Sequence, residues 1–194
     1  MILEHIPLTE FYRKMTWPTI PDSICNDIIQ HVEQNNPPNI REGDTGNNRW
    51  FNHHTTIESF DEWYQQHLAF IPEDYTVRIQ KISTEGIGIH TDYLRKSSYN
   101  FVLTYDGSTT HWHDSNNNIL HSYHYEPRTW YQHQSQIPHS VVNSAGLLRI
   151  AITIYKFEFI EKDWTINYTG DRHDPVQVDN FIKTVRGYNE QRRT

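Results

Sequence analysis

Apolar positions recur at helical spacing twice in residues 1–75. Ile24, Ile28 and Val32 fall four apart behind Pro21, with Asp22 or Ser23 placed to cap the first turn, and Asn35-Asn36-Pro37-Pro38 stops the run. Ile57, Phe60, Tyr64, Leu68 and Ile71 keep one face of a second helix, which Pro72 closes. Between them, Gly43-Asp44-Thr45-Gly46-Asn47-Asn48 is a loop by composition.

From residue 76 to 158 the pattern changes to short strands. The segments predicted are Thr76–Ser83, Ile87–His90, Ser98–Tyr105, Thr109–His113, Ile119–Tyr125, Thr129–Gln132, His139–Val142 and Leu147–Phe157. Asp106-Gly107 and Asp114-Ser115-Asn116-Asn117-Asn118 are the clearest turns. Many short strands with no helix between them predict a mainly β protein with flanking helices, a sandwich or closed jelly roll rather than a βαβ sheet. In residues 159–194, Asp174 and Pro175 start a last helix that carries Val178, Phe181, Ile182, Val185 and Tyr188 on one face. Lys183, Arg186, Arg192 and Arg193 suit the negative end of its dipole. At 194 residues the expectation is one domain over 1–194: helical support in 1–75, a β core in 76–158 and the C-terminal helix in 159–194.

The last long strand has two unlike faces. Ile150, Ile152 and Ile154 alternate with Arg149, Ala151 and Thr153. The isoleucine face is expected against the helices, which turns Arg149 toward the barrel interior. A buried arginine is costly unless it meets an anion, either a glutamate or aspartate of the barrel or the carboxylate of a bound ligand. Trp112, Trp130 and Tyr131 are expected in the core.

Charge and cysteine content narrow the setting. The net charge is −7 and no Lys/Arg run exceeds Arg192-Arg193, which argues against a nucleic-acid phosphate track. A single cysteine excludes an internal disulfide and fits a reducing compartment; among Ile24, Ile28 and Ile29, Cys25 reads as a buried structural thiol. With no basic-then-apolar leader and no apolar run of membrane-spanning length, the expected location is cytoplasmic.

The candidate chemistry lies at His90-Thr91-Asp92, which closes the β-like run Thr84-Glu85-Gly86-Ile87-Gly88-Ile89, and at His139, with Arg149 ten residues further on. Residues two apart on a strand point to the same side, so His90 and Asp92 can converge on one ion. Two histidines and a carboxylate can occupy one face of an iron ion and leave the other open. The other histidines offer an alternative. His111-Trp112-His113, near His121, His124 and His133, resembles the start of a cupin site completed by His139, although Glu126 lies too far along for the cupin glutamate. The plainer reading places these histidines alternately on the surface and along a pocket. Arg78 and Gln80 share one face of the first strand of the β zone and become substrate contacts if that face points inward. Loop 41–55, with Arg49, Trp50, His53 and His54, is either a lid or an ordinary surface loop.

His90-x-Asp92, distal His139 and Arg149 together resemble the motif of the Fe(II)- and 2-oxoglutarate-dependent dioxygenase superfamily. The run Ile89 to Asp92, the stretch Asn100-Phe101-Val102-Leu103 and Glu126-Pro127-Arg128-Thr129-Trp130 are most similar to its aspartyl/asparaginyl- and prolyl-hydroxylase-like branch. The resemblance covers roughly residues 76–158. It implies a double-stranded β-helix of eight strands, with Fe(II) held by His90, Asp92 and His139. Arg149 would grip the distal carboxylate of 2-oxoglutarate, with O2 as the other co-substrate. The implied reaction hydroxylates an amino-acid, peptidyl or similar small polar substrate. Many relatives carry Ser or Thr two residues after the arginine, where this chain has Ala151; Ser98, Tyr99, Asn100 and Thr153 are the candidates to replace that hydroxyl. Because Asp92 is present, the prolyl-type triad is the closer comparison. Two rivals remain: a catalytically silent jelly-roll binding module, and a cupin-like metal protein using His111, His113 and His139.

Overall fold

In the computed structural model, residues 3–34, 57–82, 86–92, 95–104, 107–143 and 145–156 are described. Their elements, in chain order, are β1 (Tyr12–Lys14), α1 (Asp22–Gln34), α2 (Glu58–His67), β2 (Tyr75–Ile82), β3 (Ile87–His90), β4 (Ser97–Val102), β5 (Thr109–His113), β6 (Ile119–Tyr123), β7 (Trp130–Gln134), β8 (His139–Val142) and β9 (Arg149–Lys156). The expected final helix after Asp174, the stop at Asn35–Pro38 and the 41–55 segment lie outside the described residues. So do Ser83, Tyr105 and Phe157 at the outer ends of expected strands.

Two antiparallel sheets form, a five-stranded one in the order β1-β7-β4-β9-β2 and a four-stranded one in the order β3-β8-β5-β6. From β2 to β9 the chain passes back and forth between them, with β5 and β6 as the one consecutive pair that stays in a single sheet. The protein is therefore mainly antiparallel β, a jelly-roll-like sandwich with helices on one outer face.

The larger sheet has the two faces expected from β9. Ile150, Ile152 and Ile154 join Tyr99, Phe101 and Trp130 in a core capped by Ile28 and Val32 of α1 and Phe60 and Trp63 of α2. Cys25 is fully buried in this layer, as expected for a structural thiol. The second helix is shorter than its apolar pattern: α2 ends at His67, where the Leu68 amide donates to Tyr64 O, and Leu68 and Ile71 stay buried in the turn beyond. The opposite face carries Val102, Ala151 and Tyr131, which pack with Tyr125 and with Trp112 from the smaller sheet.

Two departures from the expected strands have one cause. β7 runs to Gln134 rather than Gln132, and β1, which no pattern announced, pairs with it through Tyr12 and His133. All five residues of β7 are buried, including Gln132 and Gln134. Their amides donate to backbone carbonyls of the N-terminal segment, Gln132 Nε2 to Glu4 O at 2.6 Å and Gln134 Nε2 to Ile6 O at 3.0 Å. Buried amides are tolerated when they are satisfied, and the partner here is a segment more than a hundred residues away in sequence.

Gly86 sets the entry to β3. Its φ is +82°, and a Cβ there would sit 2.0 Å from the Val141 carbonyl oxygen of β8. Only glycine fits both the conformation and the approach. Gly86→Ala is expected to cost roughly 1–3 kcal/mol from backbone strain alone, with more from the clash, and to shift β3 along β8. Urea denaturation checks the first effect, and divalent-metal affinity checks the second.

Candidate metal centre

His90 ends β3 and His139 begins β8, and the two are cross-strand partners in the sheet register. β3 uses one more residue than β8 between the Ile87–Val141 pair and this one, a bulge of the kind that re-aims a side chain. The pairing brings the imidazole centroids within 4.3 Å. Asp92 lies just past the strand end, where its amide donates to Ser135 O at 3.0 Å and ties it to the end of β7 in the larger sheet. Asp92 Oδ2 is then 3.6 Å from His139 Nε2, and Oδ1 is 3.9 Å from His90 Nε2. Among the described residues, His90, Asp92 and His139 form the group able to hold a metal ion, with one donor atom from each within 4.8 Å of the others.

The hydrogen bonds prepare these donors. His90 Nδ1 lies 2.8 Å from Gly88 O and His139 Nδ1 lies 2.9 Å from Ile137 O. A carbonyl oxygen only accepts, so each Nδ1 carries the proton and each Nε2 presents its lone pair toward Asp92. Burial pushes His139 down to about 3, so its ring is neutral and able to ligate near neutral pH. Burial alone would raise the Asp92 carboxyl. The Arg95 guanidinium beside it, together with His139 and His90, outweighs that effect and holds it well below the usual carboxylate range, in an ionised state. Arg95 Nη2 approaches Asp92 Oδ2 to 2.8 Å, yet the contact lacks hydrogen-bond alignment and leaves this buried oxygen without a directional partner. Two imidazole Nε2 atoms and one under-satisfied carboxylate suit a divalent transition metal.

These donors open on a small cavity that connects to solvent. Gln80, Ser98, Asn100, Tyr125, His133, Arg149 and Ala151 also line it. Arg149 is buried, donates from Nη1 to Ser108 Oγ at 2.9 Å, and places its guanidinium 5.8 Å from the Tyr125 ring centroid. The Tyr125 hydroxyl in turn lies 2.8 Å from His133 Nδ1, and the His133 ring meets His139 edge-on at 4.6 Å.

The four candidates to replace the hydroxyl missing at Ala151 separate by face. Ser98 and Asn100 line the cavity. Thr153 stands behind them, with Oγ1 2.8 Å from both Gln80 Oε1 and Asn100 Oδ1. One hydroxyl has one proton, so one of those amides must present its NH2 group; Thr153 orients Gln80 and Asn100 rather than reaching a ligand. Tyr99 points the opposite way, because neighbours on a strand alternate. It stacks on Trp17 at 4.6 Å, and its hydroxyl donates to Glu4 O at 3.3 Å, so it belongs to the helix-side core. Gln80 faces the cavity as the inward orientation of β2 requires, and Arg78 on the same face lies 5.4 Å from the Tyr155 ring.

The cupin-type grouping is not assembled. Trp112 points into the interior and donates from Nε1 to Gln134 O, so His111 and His113 face the other side of β5. There His111 Nδ1 lies 2.7 Å from Ser122 Oγ and His113 Nε2 lies 2.9 Å from Ser140 Oγ. Four residues of the site escaped sequence reasoning: Arg95, Ser108, Tyr125 and His133. Of these, His133 belonged to the histidine-rich stretch, and Arg95 to the polar run after Asp92 that reads as a cavity mouth.

No helix among the described residues is long and apolar enough to cross a membrane. The fold is similar to that of a prolyl-4-hydroxylase from Pseudomonas putida, with a TM-score of 0.52 and 15% identity over 78% of this chain and 94% of that one. A prolyl 4-hydroxylase from Phytophthora capsici aligns with a TM-score of 0.45 and 16% identity, over 87% of this chain and 66% of that one. Peruvianin-I, a cysteine peptidase from Thevetia peruviana latex, aligns with a TM-score of 0.31 and 14% identity, over 43% and 50%; neither of these two scores carries an argument. No family model and no curated protein matches the chain. The likeness to the Pseudomonas putida enzyme is one of fold.

Buried neutral histidines make the metal-free fold sensitive to acid. Burial lowers both His139 and His133. Below about pH 6.5 the unfolded chain takes up protons that the folded form refuses, so stability falls with pH, and for His139 the loss continues to about pH 3. Each such histidine should remove about 1.4 kcal/mol per unit of pH below its ordinary value. The depressed Asp92 acts in the same direction at lower pH, with its contribution lost as pH falls from about 4 toward its folded value. Urea midpoints of the metal-free protein should therefore drop between pH 7 and pH 5, and His133→Asn should flatten the slope by about half; a flat wild-type profile would contradict the assignment.

Proposed function

We propose that the protein is an Fe(II)- and 2-oxoglutarate-dependent dioxygenase, built on a double-stranded β-helix, that hydroxylates an amino-acid, peptidyl or similar small polar substrate. One observation carries this reading: His90, Asp92 and His139 converge with both Nδ1 atoms tied to backbone carbonyls, on a cavity whose lining also includes the buried Arg149. Mutual support among these features, rather than any one of them, favours the dioxygenase over a silent jelly roll. A prolyl-type triad fits best, since the carboxylate is present.

In this reading His90, Asp92 and His139 hold Fe(II), and Arg149 pairs with the distal carboxylate of 2-oxoglutarate. Bound together with O2, these groups supply the oxidising power for hydroxylation of a C–H bond. The chain's own residues do the rest. Burial keeps His139 neutral, and Arg95 keeps Asp92 ionised. Ser108 and the Tyr125 ring fix the direction of the Arg149 fork, so the 2-oxo acid has one orientation. Ser98, Asn100 and Gln80 are the polar groups available to it in place of a hydroxyl at Ala151. Ile82, Ile87 and Val141 form an apolar wall that limits water at the reacting centre. No general base is required. The same reading takes the protein as a cytoplasmic single domain whose partner is a small molecule or peptide rather than a nucleic acid.

Anaerobic titration of Fe(II) and then 2-oxoglutarate, followed by the visible metal-to-ligand charge-transfer band, tests this function. The wild type should develop the band. Asp92→Ala should lose it. Arg149→Ala should need a much higher 2-oxoglutarate concentration, roughly 30-fold or more, because removing one partner of a buried charge pair costs about 2 kcal/mol or more. A folded, metal-replete wild type without the band would leave a silent jelly-roll module as the better description.

A further inference from the structure

Arg95 does more in the cavity than hold a carboxylate ionised. Its Nη2 lies 2.8 Å from Asp92 Oδ2, the same oxygen that faces His139 Nε2 at 3.6 Å. With no aligned hydrogen bond at that oxygen, the contact is held by charge. The guanidinium also lies over the Tyr155 ring, 4.7 Å from its centroid, and Arg78 lies 5.4 Å from the same ring. Tyr155 and Arg149 are six residues apart on β9, about 20 Å along an extended strand, so the basic group at Tyr155 is separate from the Arg149 anchor.

Charge balance shows what this second basic group needs. Among the ionisable groups lining the cavity, Asp92 is the negative one and Arg95 and Arg149 are positive. Ligating histidines are neutral, and burial keeps His133 neutral as well. A divalent metal adds two positive charges and a 2-oxo dicarboxylate removes two. The loaded cavity therefore keeps one positive charge in excess, which is costly in a partly buried site unless an anion meets it.

We propose that Arg95 is an exchangeable cation: it neutralises Asp92 until a divalent metal takes that carboxylate, and is then released to anchor an oxyanion of the substrate, a carboxylate or a phosphate, beside the metal. The inference rests on the metal-centre reading above. The metal and the guanidinium compete for the same oxygen and repel each other once the metal is bound. The face of Tyr155, over which the guanidinium already lies, continues to hold it once the carboxylate is taken. A substrate without an anionic group leaves Arg95 unpaired in the wall of the cavity, so the site selects against it.

Calorimetric titration of Mn(II) into the wild type, Arg95→Gln and Arg95→Lys tests the exchange without any turnover. Arg95→Gln should bind Mn(II) about tenfold more tightly, because a competing charge is gone, and Arg95→Lys should stay near the wild type. In protein saturated with Mn(II) and 2-oxoglutarate, acetate or inorganic phosphate should bind the wild type and lose that binding in Arg95→Gln; the preferred anion names the substrate group. Equal or weaker Mn(II) binding by Arg95→Gln while Arg95→Lys remains folded, or no binding of either anion, or anion binding indifferent to Arg95, would overturn the proposal with the metal centre intact. A wild type that takes up no Mn(II) would overturn the metal centre itself.

Discussion

The register of β3 on β8 is the constraint on which the rest of this site depends. His90 and His139 are far apart in the chain and meet because they are cross-strand partners at the end of a short ladder. A slip of one residue would turn His90 to the other face and separate the donors. Three features hold the pairing in place: the bulge between Ile87 and His90, the left-handed Gly86 seated against the Val141 carbonyl, and the small apolar cluster of Ile82, Ile87 and Val141. Asp92 is then placed by a bond from its own amide to Ser135, a residue that leads out of the other sheet. The candidate metal centre is thus a joint between the two layers of the sandwich.

The larger sheet solves a second problem, that of placing polar groups inside a fold that needs an apolar core. Its outer face takes the isoleucines of β9 and the aromatics of β4 and β7 and packs them under the helices. Its inner face carries Arg149, Gln80, Asn100 and Thr153, each engaged by another side chain: Ser108 for the arginine, and the Thr153 hydroxyl for both amides. Buried polar groups become costly when unpaired, so this network both orients the cavity wall and limits the ways it can be altered. Arg95 follows the same logic in ionic form, since its charge helps keep the buried Asp92 ionised.

Several of these features were legible in the sequence, and for identifiable reasons. Period-two alternation in β9 separated the isoleucine face from the Arg149 face, and the order and spacing of His90, Asp92, His139 and Arg149 marked the candidate site. The helical stripes of α1 and α2 were visible because repeated spacing survives whatever a helix packs against. The same reasoning placed Tyr99 with Ser98 and Asn100, although alternation along β4 sends it to the opposite side. The histidines of β5 drew a metal reading from their His-x-His spacing, and Trp112 between them decides the matter by taking the inward position.

By itself the sequence determined what each strand could bury and which side chains could act as ligands, since both depend on residue type and local period. Only the tertiary structure decided which of those side chains meet. Arg95 with Asp92, Ser108 with Arg149, Tyr125 with His133, and β1 with β7 are contacts between elements whose adjacency comes from the sheet order. Local spacing carries no information about that order. It is set when the two sheets close on each other and the buried amides, rings and charges find partners from distant parts of the chain.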